Sequence, residues 1–194
     1  LKYPFNNKIE AETLLFIILS IQMSHIAKNT LSFTCSKKMQ FLRTPPDLWI
    51  RLNDKYHFTL DACASDENHL CEKYYTKDNS CLDKEWTNEI VYLHPLFDTN
   101  IGKFVEKAYN EKCKIIMLLP ASTHTRYFHK FIYNNPRARI EFLEKPKNGF
   151  RFGKDDGTLD DGLKMGYIKS LMIVEIDNTD NFIDDGKRDI IRLL

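Results

Sequence analysis

The sequence carries almost no net charge. Its 28 basic and 27 acidic residues leave +1, so no global field argues for or against a polyanionic partner, and a nucleic-acid surface would have to be a local patch. It also lacks cysteines at metal-site spacing. The five (Cys35, Cys63, Cys71, Cys81 and Cys113) are odd in number and form no CxxC pair, which excludes a structural zinc site of ordinary spacing and reads as reduced thiols in an intracellular protein. No apolar run reaches membrane-spanning length. Residues 14–21 (LLFIILSI) fall far short of the roughly 20 that a span requires, and Glu10 and Glu12 stand where a signal peptide carries basic residues. This run is expected to be a docking helix or part of an extension. The first residue is Leu1 rather than Met, with Met23 and Met39 as alternative starts, and there is no internal repeat.

What is present suits one domain. The 194 residues are 43% hydrophobic, enough for one normal core. Residues 1–40 are expected to form an N-terminal extension, 41–176 the domain, and 177–194 a tail ending in a short packing helix. Thr44-Pro45-Pro46-Asp47, followed by Leu48, Trp49, Ile50 and Leu52, predicts a short helix with proline in its first turn. Residues 56–60 predict a strand ending at Asp61. Residues 65–75 are polar with Leu70 and Tyr74 at helical spacing and predict a helix capped by Ser65. Ile90–Leu93 reads as a buried strand, and Ile101–Asn110 as an amphipathic helix through Ile101, Phe104, Val105 and Ala108. Residues 115–119 form another apolar strand that stops at Pro120. Ser122 or Thr123 then caps a helix through Phe128, Phe131 and Ile132, and strands follow at 139–143 and 171–176. Residues 145–166, with glycines at 149, 153, 157 and 162, predict a loop or hairpin. Strands alternating with helices imply an α/β fold whose mostly parallel sheet is covered on both faces, with ligands bound beyond the strands' carboxyl ends.

Two places concentrate the residue types of a polar-ligand site. In Leu60-Asp61-Ala62-Cys63-Ala64, an acid at a strand end is followed by small side chains. Small residues let a ligand approach the backbone, and the carboxylate can accept from an amine or from ribose hydroxyls. Alone, the segment also reads as a helix cap in an ordinary tight turn. The second place is His94-Pro95-Leu96-Phe97, after Val91-Tyr92-Leu93. Its proline stiffens the backbone and its aromatic can stack on a planar ligand. Alone, it also reads as a proline turn with a core phenylalanine.

Taken in order, Arg43-Thr44-Pro45-Pro46-Asp47-Leu48, Phe58-Thr59-Leu60-Asp61-Ala62-Cys63-Ala64, Trp86 and Val91-Tyr92-Leu93-His94-Pro95-Leu96-Phe97 resemble the phage-type Dam family of N6-adenine DNA methyltransferases. Leu119-Pro120-Ala121 with the following helix, Ile140-Glu141-Phe142, Phe150-Arg151-Phe152-Gly153 and the last strand are similar to that family's later elements. The resemblance spans residues 43 to 176, and the ordered series is more specific than any piece of it.

The resemblance implies a Rossmann-like methyltransferase fold that uses S-adenosylmethionine on double-stranded DNA with a flipped-out adenine, without a metal. Thr44, Pro45 and Asp61 would contact the cofactor, Ala62 and Cys63 would line the turn, and Asp61 would hold the cofactor's ammonium group. The acid that binds ribose is open among Glu72, Asp78 and Asp83. His94, Pro95 and Phe97 would be catalytic. The family's tetrapeptide is Asp or Asn, Pro-Pro, then an aromatic. Its first side chain and the next carbonyl accept from the adenine amino group, while the aromatic stacks on the base. This sequence departs at two positions: His94 offers one acceptor nitrogen when neutral, and Leu96 restores a backbone N–H and loosens the turn. Lys147 and Arg151, in the glycine-rich loop, would contact DNA phosphates. The expected setting is intracellular, in the host cytoplasm if the source is a phage or virus. Three readings stay open: an enzyme with His94 as acceptor; an inactive homologue that binds cofactor or DNA as a regulatory module; and a related fold acting on RNA or a small molecule.

Overall fold

Prolines start the first helix in the computed structural model, which describes residues 43–145 and 169–183 and the backbone of 190–191. Residues 14–21, Lys147, Arg151, nearly all of the glycine-rich segment and most of the tail lie outside the described residues. Helix α1 (Pro46–Tyr56) has Pro46 where a backbone N–H would go unpaired, and the Pro45 carbonyl accepts from the Trp49 N–H at 2.9 Å. It runs 11 residues, longer than the short helix expected. His57 ends it in the left-handed conformation (φ 54°, ψ 63°), and the Asn53 side chain accepts from the Phe58 N–H at 3.1 Å.

Two sequence expectations fail here. The strand expected at 56–60 shrinks to β1 (Leu60–Asp61). Tyr56 is the last helical residue, and the rings of Tyr56 and Phe58 lie 5.8 Å apart in an aromatic group with Trp49 and Tyr92. Their alternation comes from packing under a helix end, not from pleating. The helix expected at 65–75 is absent, and Ser65 caps nothing: it forms a two-residue bridge with Asn68, and the chain then enters β2 (Lys73–Tyr74). Asp61 competes with the helix for backbone donors, because its two carboxylate oxygens take the N–H groups of Cys63 and Leu70.

The remaining elements follow the pattern closely. They are β3 (Ile90–Leu93), α2 (Ile101–Asn110), β4 (Lys114–Pro120), β5 (Ala138–Phe142) and β6 (Leu171–Asp177). Between β4 and β5 the chain turns at 123–125, where Thr125 Oγ1 donates to the Ser122 carbonyl at 2.8 Å. It then winds into the wide helical turn Phe128–Tyr133, which buries Phe128, Phe131 and Ile132. A two-residue strand, β7 (Ile190–Ile191), stands where a packing helix was expected, and it is parallel to β5.

The sheet order is β2-β1-β3-β4-β6-β5-β7. Among the described residues four pairings are parallel and two antiparallel, the latter both made by β6, which lies between β4 and β5. The sheet is therefore mixed. Alternation along β4 divides the core: Ile115, Met117 and Leu119 join Trp86, α2 and the wide turn on one face, while Ile116 and Leu118 join Leu52 of α1, Tyr92 and Ile173 on the other. Helical elements thus cover both faces. No helix among the described residues is long and apolar enough to cross a membrane. Ile116 is fully buried in the longest register of the sheet, so Ile116→Val is expected to lower unfolding free energy by about 1 kcal/mol in urea titration.

Candidate functional site

Strands β1, β2 and β3 run parallel, so their carboxyl ends share one edge of the sheet. Beyond that edge lies a cleft of about 690 Å³, within the range of small-molecule sites. The loop after β1 lines it with Asp61, Ala62 and Cys63, the segment after β2 with Asp78, the turn after β3 with His94 to Asp98, and α2 with Lys103 and Phe104. Register places Asp61 beside Tyr92, two residues before His94. The two separate sequence features therefore open on one space.

Asp61 is only 3% exposed. Burial pushes its carboxyl up to about 6, although the N–H groups of Leu70 and Cys63 work against the rise. A buried carboxylate that is costly to ionise is suited to a cationic partner, which would offset the cost. Cys63 follows on the turn. Its thiol is raised well above the usual value, first by a hydrogen bond with Cys81 and then by burial, so it stays protonated and unreactive. Cys63, Cys71, Cys81 and Cys113 are all free thiols.

On the other side of the cleft Pro95 is buried and Leu96 is exposed. Phe97 sets its ring 5.2 Å from that of His94. Burial lowers the His94 imidazole to about 4, so it is neutral at physiological pH. Thr44 Oγ1 lies 3.1 Å from His94 Nδ1 and 2.7 Å from the Tyr92 hydroxyl.

Thr44, Asp61, Ala62, Cys63, His94, Pro95 and Phe97 all line this cleft. Pro45 does not; its carbonyl closes the first turn of α1. Of the three acids left open for a ribose, Asp78 lines the cleft, and Glu72 and Asp83 do not. His124, Arg126 and His129 are also outside its lining, and His129 packs edge-on against Phe128 and Tyr133. Tyr92 is the residue that sequence reasoning passed over. It read as one more apolar strand position, and the signal available was a hydroxyl two residues before the turn. Among the described residues no group of three His, Cys, Asp or Glu could hold a metal ion.

A cleft beyond parallel strand ends, with a buried acid opposite a proline-aromatic turn, defines an α/β domain whose cleft has the place and size of a small-ligand site. The chain matches the model of the DNA N-6-adenine-methyltransferase (Dam) family over residues 32–188, and it belongs to that family. A DNA N-6-adenine-methyltransferase of Escherichia phage T1 is 37% identical to it over 106 residues, which are 52% of this chain and 43% of the phage protein. The matched region thus spans less than half the length of that relative.

Proposed function

We propose that this protein is an S-adenosylmethionine-dependent methyltransferase acting on N6 of adenine in double-stranded DNA, built on a Rossmann-like sheet with β6 as its reversed strand. The observation that carries the proposal is the convergence of Asp61 and the His94–Phe97 turn, from paired parallel strands, on one cleft in a chain of the Dam family. The site fits the cofactor's chemistry: Asp61 is a buried carboxylate whose ionisation a cation would favour, and Asp78 lines the same cleft and offers a carboxylate to a ribose. When bound, the cofactor supplies an electrophilic methyl group on a sulfonium centre.

The chain's own residues do the rest. Asp61 holds the ammonium group and Ala62 and Cys63 allow close approach to the backbone, with Thr44 at the cofactor end. The Pro95 carbonyl accepts a proton of the adenine amino group, which directs the nitrogen lone pair. Phe97 stacks on the extruded base, which leaves the duplex at the cost of its own stacking. Lys147 and Arg151 contact phosphates. Such a protein acts where its DNA is, inside a cell.

A second reading is favoured by Leu96, exposed at the lip of the turn where the family tetrapeptide has proline: a homologue that binds cofactor and DNA without transferring the methyl group. One experiment separates the two. Purified protein is given labelled S-adenosylmethionine and adenine-rich duplex, and cofactor binding is followed by calorimetry. The enzyme reading expects label on adenine N6 and a loss of about 100-fold in rate in Phe97→Ala, through poor base orientation. Transfer no higher than in Phe97→Ala, with binding retained, leaves the binding homologue. Absence of both label and cofactor binding rejects both readings.

A further inference from the structure

We propose that Tyr92 and Thr44 hold His94 in the tautomer with its proton on Nε2, so that the first residue of the turn meets a base as a hydrogen-bond donor and not as an acceptor. The site's use on a base rests on the function proposed above; the tautomer does not.

The inference comes from counting protons along three side chains. Tyr92 is 1% exposed, and burial raises its phenol far above the ordinary value, so the hydroxyl keeps its proton. Among the described residues its hydrogen-bond partner is Thr44 Oγ1, at 2.7 Å. A buried hydroxyl donor left unpaired is strongly disfavoured, so the phenol donates to Thr44. The threonine hydroxyl has one proton of its own. Its other side-chain partner is His94 Nδ1, at 3.1 Å, so that proton goes to Nδ1. A neutral imidazole that accepts at Nδ1 carries its hydrogen on Nε2.

The opposite tautomer fails the same count. With hydrogen on Nδ1, His94 would donate to Thr44. Either Thr44 then donates to the phenol, whose own proton is left unpaired, or the phenol also donates to Thr44, and the threonine proton is left unpaired. Each arrangement strands a donor in the core, which gives roughly a tenfold or larger preference for hydrogen on Nε2. Whatever group Nε2 faces, it faces it as N–H.

For the base this changes the pattern of recognition. An amino group cannot be accepted by an N–H, so the Pro95 carbonyl is left as the acceptor for N6. The donor at His94 instead suits a ring nitrogen beside an exocyclic amino group, the arrangement on the pairing edge of adenine. Toward the base Tyr92 and Thr44 thus act through His94 as positioning residues: they decide which half of a hydrogen bond it can supply.

The test is a two-bond proton–nitrogen correlation spectrum of the imidazole rings in uniformly 15N-labelled protein at pH 7, with neither cofactor nor DNA. The expected His94 pattern is a bare, hydrogen-bonded Nδ1 and a protonated Nε2. In Thr44→Val the Nδ1 resonance should move toward that of a free acceptor, and Thr44→Ser should return it to the wild-type position. In Tyr92→Phe the threonine proton still has Nδ1 as its acceptor, so Nε2 should stay protonated. A wild-type spectrum with Nδ1 protonated overturns the proposal without any variant. So does a Tyr92→Phe spectrum in which Nδ1 has become the protonated nitrogen. Calorimetry with S-adenosylmethionine tests the function separately, so failure there leaves the tautomer result standing.

Discussion

The double variant His94→Asn, Leu96→Pro is expected to methylate adenine in duplex DNA about 100-fold faster than the wild type, because both changes act on the aim of the acceptors. The asparagine amide carries an oxygen that can accept from N6, where the imidazole presents N–H. Proline at 96 removes a backbone N–H and fixes φ near its preferred value, stiffening the carbonyl of Pro95 just before it. The cost to the fold is small, since Leu96 is 42% exposed. The residues are close neighbours, so the two effects should be coupled, with each single variant gaining less than its share. Initial rates of label incorporation for wild type, both singles and the double decide the matter. No gain in the double variant would show that the aim of the acceptors at positions 94 and 96 does not limit the rate.

Asp61→Asn is expected to raise stability and destroy cofactor binding together. The Asp61 carboxyl rises from its ordinary 3.8 to about 6 in the folded protein, so the folded state holds this proton more tightly than the unfolded one. That contribution to stability is fully present below about pH 4 and is lost as pH rises through about 6. At pH 7.5 the ionised side chain is buried at a cost that asparagine avoids, while its amide oxygen keeps one of the two backbone contacts. Urea titrations should show the variant up to roughly 2 kcal/mol more stable at pH 7.5, with the difference vanishing by about pH 4. Affinity for S-adenosylmethionine should fall by roughly 30-fold or more, as expected when one member of a buried charge pair is removed. Equal affinity in the two proteins would remove Asp61 from the cofactor site. Such opposed effects are usual where a functional group is held against its own solvation.

The sequence was most legible where period and burial agree. Ile101–Asn110 and Ile90–Leu93 have their predicted bounds, β4 and β5 differ by one residue at each end and β6 by one residue at its C-terminal end, because long apolar patterns leave little choice of conformation. Residues 65–75 were misread because helical spacing of two apolar side chains is weak beside a carboxylate that takes two backbone donors. The direction of β6 was not legible at all: an apolar strand reads alike in either sense, and only the partners on its flanks fix it. In the site, seven of the residues singled out line one cleft, since strand ends and proline turns are visible locally. The meeting of Thr44 with Tyr92, 48 residues apart, has no local signature.

Strand β6 carries a consequence for synthesis. It follows β5 in the chain, yet it fills the space between β4 and β5, pairing Lys114 with Asp177 and Pro120 with Leu171. Until a nascent chain has cleared the ribosome past Asp177, both neighbours expose unpaired N–H and C=O groups along their facing edges. The Ile-Ile-Met-Leu-Leu run of β4 is then an edge open to other chains. Residues 143–170 separate β5 from β6 in sequence, and bringing together partners so far apart along the chain slows the step that hides that edge. The centre of this protein is thus among the last parts to be finished, and a chain halted before Leu171 is expected to aggregate rather than to act as a smaller working domain.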